Sequence, residues 1–275
     1  MDKTYENVVI ERDGGVTFLK LNRPDKRNAM SPALHYDMDD ALAWLADDPE
    51  TKILVLTGEG DSWCAGQDIR LYFRGNQNDP VERKKSNTAS HRWRWDRLNA
   101  FPKPTIAMVN GHCYGAAFTQ LCAVDFVITA DDAAYGLSEV NWGIIPGGIV
   151  SWNLTDMMLP RHAFYYAITG EPFDGKRAVE IGLANISVPA EQLREETMKL
   201  ATKLASLNPG VVRYTKEAMR SVRRMSDVQA RDYLRAKQDA LELNDREIGE
   251  QVGMKQFLDD KAYRPGLGPY QRSEG

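Results

Sequence analysis

The chain has 275 residues, of which 43% are hydrophobic and 27% charged, and its formal net charge is −4. That length exceeds the usual single domain, so one large domain, or one with a helical appendage, is expected. The mild negative balance argues against nucleic acid as a main partner, and no run approaches the roughly 20 apolar residues of a membrane span. Residues 1–7 carry neither a basic nor an apolar leader pattern, which predicts a cytoplasmic protein. Cys64, Cys113 and Cys122 form no close-spaced metal pair and read as buried free thiols, while His35, His91, His112 and His162 lack ligand spacing, so no metal is expected.

In chain order, Val8–Arg12 and Val16–Leu21 flank Asp13-Gly14-Gly15 and predict an antiparallel hairpin with a tight turn. Ser31-Pro32 supplies an N-cap followed by proline at N1. Leu34, Met38, Ala41, Leu42 and Leu45 then recur at helical spacing to about Asp48. Ile53–Gly58 has the composition of a strand buried on both faces. A second unit follows, with a strand over Pro104–Gly111, a helix over Tyr114–Val124 and a strand over Asp125–Ala130. Such repeats fit a stacked parallel or mixed sheet, and the glycine fingerprint of a dinucleotide-binding domain is missing after the first strand. Between the units, Tyr72–Ala100 is polar and reads as a mobile loop followed by a helix. It forms either a lid over a substrate or a plain amphipathic helix with its tryptophans in the core. Beyond Pro160, helices are expected over Arg161–Thr169, Gly175–Gly182, Ala190–Leu207, Val211–Arg223 and Asp227–Asn244.

One acid stands out. Glu139 lies in Tyr135–Gly148, an apolar stretch rich in glycine with one proline, where partial desolvation would raise its pKa toward the working range of a general acid or base. Its alternative is a solvated surface glutamate. Two backbone segments suit an oxyanion: the Gln67 N–H after Gly66, and the Ala116 N–H where small residues open a helix. Aimed together at a thioester carbonyl, such donors would stabilise developing negative charge.

These residues resemble the crotonase (enoyl-CoA hydratase/isomerase) superfamily, through Asn22–Ala29, Ala65–Asp68, Pro102–Gly111, Glu139 and Pro146–Gly148 in that order and spacing. Asn28–Pro32, Leu71–Arg74, Gly136–Gly143 and Gly253–Lys261 are further similar to the hydroxycinnamoyl-CoA hydratase-lyases, which convert feruloyl-, caffeoyl- or 4-coumaroyl-CoA to an aromatic aldehyde and acetyl-CoA. The resemblance implies an α/β crotonase-like spiral of ββα repeats over 1–200 and a C-terminal helical trimerisation module over 201–275, in trimers or paired trimers. It implies that Gln67 and Ala116 form the oxyanion hole and that Glu139 is the acid/base. Lys26, Ala29, Ala65, Gly66, Asp68 and Ile69 would hold the coenzyme A portion, with Thr119, Ser138, Trp142 and Gly147 about the acyl pocket. Tyr72 would reach the para-hydroxyl of the ring. No cofactor is implied beyond coenzyme A as part of substrate and product.

Departures from the relatives sharpen the expectation. Ordinary hydratases of two glutamates have their first acid where Thr119 stands, whereas the hydratase-lyases resemble this chain in having a hydroxyl residue there. Arg235 occupies the place of a second tyrosine, which a neighbouring subunit contributes. Gln67 replaces a methionine and Ala116 a glycine, which narrows the acyl pocket and makes it more polar. Three readings stand at this point: a hydratase-lyase, a hydratase of another acyl-CoA without C–C cleavage, and an inert trimer that binds CoA esters.

Overall fold

The computed structural model describes residues 3–261 and Arg272. The chain divides into two units: residues 1–101 with 105–199, and residues 102–104 with 200–275.

The first unit is built on a six-stranded sheet. β1 (Val8–Asp13) and β2 (Val16–Leu21) form the expected hairpin, with Asp13 in register opposite Val16, so the turn is Gly14-Gly15 alone. β3 (Ile53–Gly58), β4 (Thr105–Val109), β6 (Phe126–Ala130) and β8 (Ile186–Val188) then add in parallel. Every residue of β3 and β4 is buried, as their nearly unbroken apolar runs require for strands covered on both faces. Between β2 and β3 runs α1 (Pro32–Asp47). Its cap is Ser31, whose hydroxyl accepts from Leu34 N–H, and its buried stripe includes Leu34, His35, Met38, Leu42 and Leu45.

Parallel strands deliver their C-terminal ends to one edge of a sheet, where α/β proteins gather their binding loops. Here those ends open into the segments at 22–31, 59–68, 110–116 and 131–139. Short pairings stitch the segments together: Met30 bridges Gln67, Cys64 bridges Cys113, and β5 (Cys113–Tyr114) pairs with β7 (Tyr135–Gly136).

Several elements differ from the sequence reading. The helix expected over Tyr114–Val124 is shortened to α3 (Ala117–Ala123), because Cys113–Tyr114 is drawn into a strand and Gly115 takes a left-handed φ of 52°. Residues 72–100 are mostly helical rather than loop. A wide-turn segment at Ile69–Arg74 is followed by α2 (Pro80–His91) and a second wide turn at Arg92–Arg97. α2 starts at an Asp79 cap and buries only small side chains, Ser86, Ala89 and Ser90, so its sequence lacks an apolar stripe. Trp93 is wholly buried. α4 (Val150–Met157) and β8 escaped the sequence reading; α5 (Pro160–Thr169), α6 (Gly175–Glu180) and α7 (Leu193–Ala205) lie close to their expected ranges.

The second unit takes in the end of α7 and then α8 (Pro209–Val222), α9 (Asp227–Asn244) and α10 (Gly249–Leu258), the last also unforeseen. Asn208 and a Ser226/Gln229 capping box start α8 and α9. No helix among the described residues is long and apolar enough to cross a membrane.

Candidate active site

At the sheet edge, Ala65 N–H donates to Arg27 O, Met30 N–H to Gly66 O and Asp68 N–H to Met30 O, each at 2.8 to 3.0 Å, so the segment 65–68 lies as a rib against 27–30. On its other side, Cys64 N–H donates to His112 O and Tyr114 N–H to Cys64 O, while Gly115 N–H donates to Gly136 O. Lys26, Ala29, Ala65, Gly66, Gln67, Asp68, Ala116 and Glu139 thereby belong to one stitched cluster of loops.

Two glycines let the segments meet. Gly66 has φ +89°, and a β-carbon there would fall 2.7 Å from Tyr114 O and 3.6 Å from Ala116 N. Gly115 has φ +52°, and a β-carbon there would press on Glu139 Oε1 at 3.1 Å. Only glycine satisfies both the left-handed backbone and the close approach. Neither Gln67 N–H nor Ala116 N–H donates to a protein acceptor among the described residues. The two donors singled out in the sequence are thus adjacent and unspent, and the Glu139 carboxyl sits against the residue that precedes one of them.

Glu139 lies in a short 3₁₀ turn, Ser138–Trp142, that ends at the left-handed Gly143. Its Oε2 is buried with no hydrogen-bond partner among the described residues. Burial raises its pKa above the ordinary 4.5, opposed only by a backbone hydrogen bond of its own residue. A carboxyl with no cation beside it among the described residues, and one oxygen without a donor, is suited to taking up a proton and releasing it. A carboxyl acting as a base works ionised, so a rate that depends on it is expected to fall as pH drops through this raised pKa. A pH profile of kcat/KM whose acid limb has its midpoint above 4.5 checks this.

Other sequence candidates have defined places. Asp68 spends its carboxylate on Arg23, at 2.9 Å, and on capping Arg70 and Leu71 N–H, and Arg23 also donates to Ala29 O. Asp68 thereby anchors the loop. Ile69 is exposed at the start of the wide turn, and Lys26 is exposed with Asp25 3.3 Å away. Tyr72 is half-buried, donates its hydroxyl to Asn87 Oδ1 at 2.6 Å and meets the His35 ring edge-on at 5.2 Å. Thr119 is buried on α3. Ser138 is half-buried, whereas Trp142 and Gly147 are exposed. Arg235 stands exposed on α9 in the second unit, with no ion pair among the described residues.

Residues that sequence reasoning set aside line the back of the cluster. His35, read as structural, accepts the Trp93 indole N–H at Nδ1 (2.8 Å), which leaves Nε2–H to donate to Gln67 Oε1 at 2.8 Å. Burial, helped by the Arg94 charge, pushes His35 down to about 3, so the ring is neutral at every working pH.

A family profile described as enoyl-CoA hydratase/isomerase matches residues 11–263. The chain belongs to this family. It is 47% identical over 269 residues, 98% of both chains, to a hydroxycinnamoyl-CoA hydratase-lyase of Pseudomonas fluorescens. It is 32% identical to a crotonyl-CoA hydratase of Syntrophomonas wolfei, over 78% of this chain and 81% of the other. Among solved structures, an enoyl-CoA hydratase from Polaromonas sp. JS666 superposes with a TM-score of 0.83 at 27% identity, covering 92% of this chain and 97% of that one. The crotonase fold expected from the sequence is therefore established.

Proposed function

We propose that this member of the family is a hydratase-lyase of hydroxycinnamoyl-CoA thioesters such as feruloyl-, caffeoyl- and 4-coumaroyl-CoA. One observation carries the reading: a single carboxyl, Glu139, stands against Gly115, next to Ala116, whose N–H and that of Gln67 have no protein acceptor among the described residues, with Thr119 instead of a second acid on α3. The relative from Pseudomonas fluorescens supports the same substrate class.

In the proposed mechanism Gln67 and Ala116 N–H groups take the thioester oxygen. Glu139 removes a proton from water as it adds to the β-carbon, then delivers it to the α-carbon of the enolate. Glu139, again ionised, takes the proton of the resulting β-hydroxyl as the Cα–Cβ bond breaks, which yields the aldehyde and the enolate of acetyl-CoA on the same two donors, and the protonated Glu139 holds the proton that this enolate carbon then receives. Protonation at carbon completes the product. Water is the only co-reactant in this balance, so neither metal nor redox cofactor is invoked. Lys26, Ala29, Ala65, Gly66, Asp68 and Ile69 would carry coenzyme A, directly or through the loop, while Ser138, Trp142 and Gly147 flank the acyl chain.

Tyr72 would meet the para-hydroxyl, whose deprotonation feeds electrons toward the β-carbon. Tyr72→Phe is then expected to slow feruloyl-CoA by about tenfold or more and leave unsubstituted cinnamoyl-CoA nearly unaffected. Equal effects on the two substrates, measured as kcat/KM, would remove the contact. Arg235 of a neighbouring subunit would act on the ring substituent by charge. A homotrimer, alone or paired, is supported by the exposed apolar side chains Ile144, Ile145, Phe164 and Ile168 in the first unit and Met219 and Leu243 in the second. Three buried free thiols suit a reducing, cytoplasmic setting.

The second reading, hydration without cleavage, is favoured by the likeness to the crotonyl-CoA hydratase. Incubation of the protein with feruloyl-CoA separates the two. Equimolar vanillin and acetyl-CoA support the first, and a stable β-hydroxy thioester the second.

A further inference from the structure

Behind the two N–H donors runs an unbroken chain of hydrogen bonds. Trp93 Nε1–H donates to His35, His35 to Gln67 Oε1, and Gln67 Nε2 to Ser90 Oγ at 3.2 Å. Arg94 Nε donates to the same Ser90 Oγ and to Ser90 O, both at 3.1 Å, and Arg94 Nη1 to Ala116 O at 3.0 Å. The chain passes through the side chain of one donor residue, Gln67, and ends on the carbonyl of the other, Ala116. It draws on α1, α2 and the Arg92–Arg97 turn.

Arg94 is unusual in this setting. It is half-buried and forms no ion pair with a carboxylate among the described residues. Burial pushes it down to about 10, so it is still a cation at neutral pH. A guanidinium removed from water without a carboxylate is costly unless its hydrogen bonds hold it, and here its acceptors are Ser90 and the Ala116 carbonyl. Ala116 O also accepts from Thr119 N–H at 3.2 Å, and Gly115 O, in the same peptide plane as Ala116 N–H, accepts from Phe118 N–H at 3.0 Å. Both peptide planes that flank Ala116 are thereby held.

We propose that Arg94 is a positioning residue for the oxyanion hole, locking Ala116 to Gln67 through Ser90 so that both N–H groups stay aimed at one thioester oxygen. It rests on the assignment of those two amides under the proposed function. Donors fixed before reaction favour the enolate over the neutral thioester, so loss of Arg94 is expected to act on kcat more than on KM.

The test compares wild type with Arg94→Gln, Arg94→Lys, Gln67→Met and the double variant Gln67→Met/Arg94→Gln. Arg94→Gln is expected to lower kcat by about 10- to 100-fold with KM within about threefold, and Arg94→Lys to recover part of the loss. The double variant should lose less than the product of the single losses, because both cut one chain. If Arg94→Gln does not fold, Ser90→Ala, which breaks the same chain with a small deletion, is expected to show the same split. A second readout is independent of which thioester is turned over. Binding of the poorly reactive chromophore 4-(dimethylamino)cinnamoyl-CoA should shift its absorbance to the red in wild type, and the shift should fall by about half or more in Arg94→Gln at saturation. Loss of that shift while wild type leaves feruloyl-CoA untouched would overturn the substrate and retain the positioning role. A full red shift and wild-type kcat in a folded Arg94 or Ser90 variant would overturn the positioning role itself, as would multiplicative losses in the double variant.

Discussion

Glu139→Gln is expected to lower turnover of hydroxycinnamoyl-CoA by about 10³- to 10⁴-fold while binding of coenzyme A thioesters is little changed. That loss lies at the upper end of what one general acid–base group contributes, because no second acid on α3 can take over and because in the proposed mechanism the same group serves addition and protonation. Steady-state kinetics alongside a binding titration checks it. Stability should move the other way. The folded-state pKa of Glu139 is raised, so the fold binds its proton more tightly than the unfolded chain does. The carboxyl's contribution is therefore fully present below the unfolded pKa and is lost as pH rises through the folded one. At pH 7 the ionised, desolvated carboxylate is a burden that glutamine lacks. Thermal melting of Glu139→Gln should occur at or above the wild-type temperature at pH 7, and the two curves should draw together as pH falls below 4.5. A variant with near-normal turnover, or one melting well below wild type at neutral pH, contradicts the role given to this residue.

The second large effect is expected at Gly66. A methyl group there would stand 2.7 Å from Tyr114 O on a backbone at φ +89°, so Gly66→Ala must displace either its own loop or the segment leading to Ala116. Strain of this kind costs about 1–3 kcal/mol. Because the displaced atoms carry the two N–H groups proposed as oxyanion donors, kcat should fall by about 10²- to 10³-fold, more than the strain alone would suggest. Gly14→Ala is the control: it has φ +58° with nothing within 4 Å of the added carbon and lies in the β1–β2 turn. It should lower the melting temperature and leave kcat intact. If both variants keep wild-type kcat, the Gly66 contact does not shape the site.

Much of the frame was legible in the sequence because its signals are local. The Ser31-Pro32 cap, the apolar run at Ile53–Gly58 and the 3.6-residue pattern of α9 each specify an element without reference to the rest of the chain. Glu139 was legible because a lone acid among glycines and aliphatic side chains has few uses. The elements that were missed draw their stability from tertiary contacts. α2 buries Ser86, Ala89 and Ser90, residues that give no hydrophobic signal, and Tyr114 leaves the helix pattern only because Tyr135–Gly136 offers a strand to pair with. The same holds for the site. His35 and Arg94 are 59 residues apart in sequence, and nothing in the spacing shows that both converge on the Gln67 side chain and Ser90. Nor does the sequence show that the Asp68 carboxylate is bound to Arg23 and two N–H groups of its own loop.

In the proposed function one site hydrates a hydroxycinnamoyl thioester and then cleaves the carbon–carbon bond. Turnover of feruloyl-CoA in deuterium oxide, followed by mass analysis of the acetyl-CoA formed, tests it most directly. Hydration delivers one solvent hydron to the α-carbon and protonation of the released enolate delivers another. The expected result is vanillin with an equal amount of acetyl-CoA whose methyl group carries two deuterons. Accumulation of a singly deuterated β-hydroxy thioester with no aldehyde would contradict the claim.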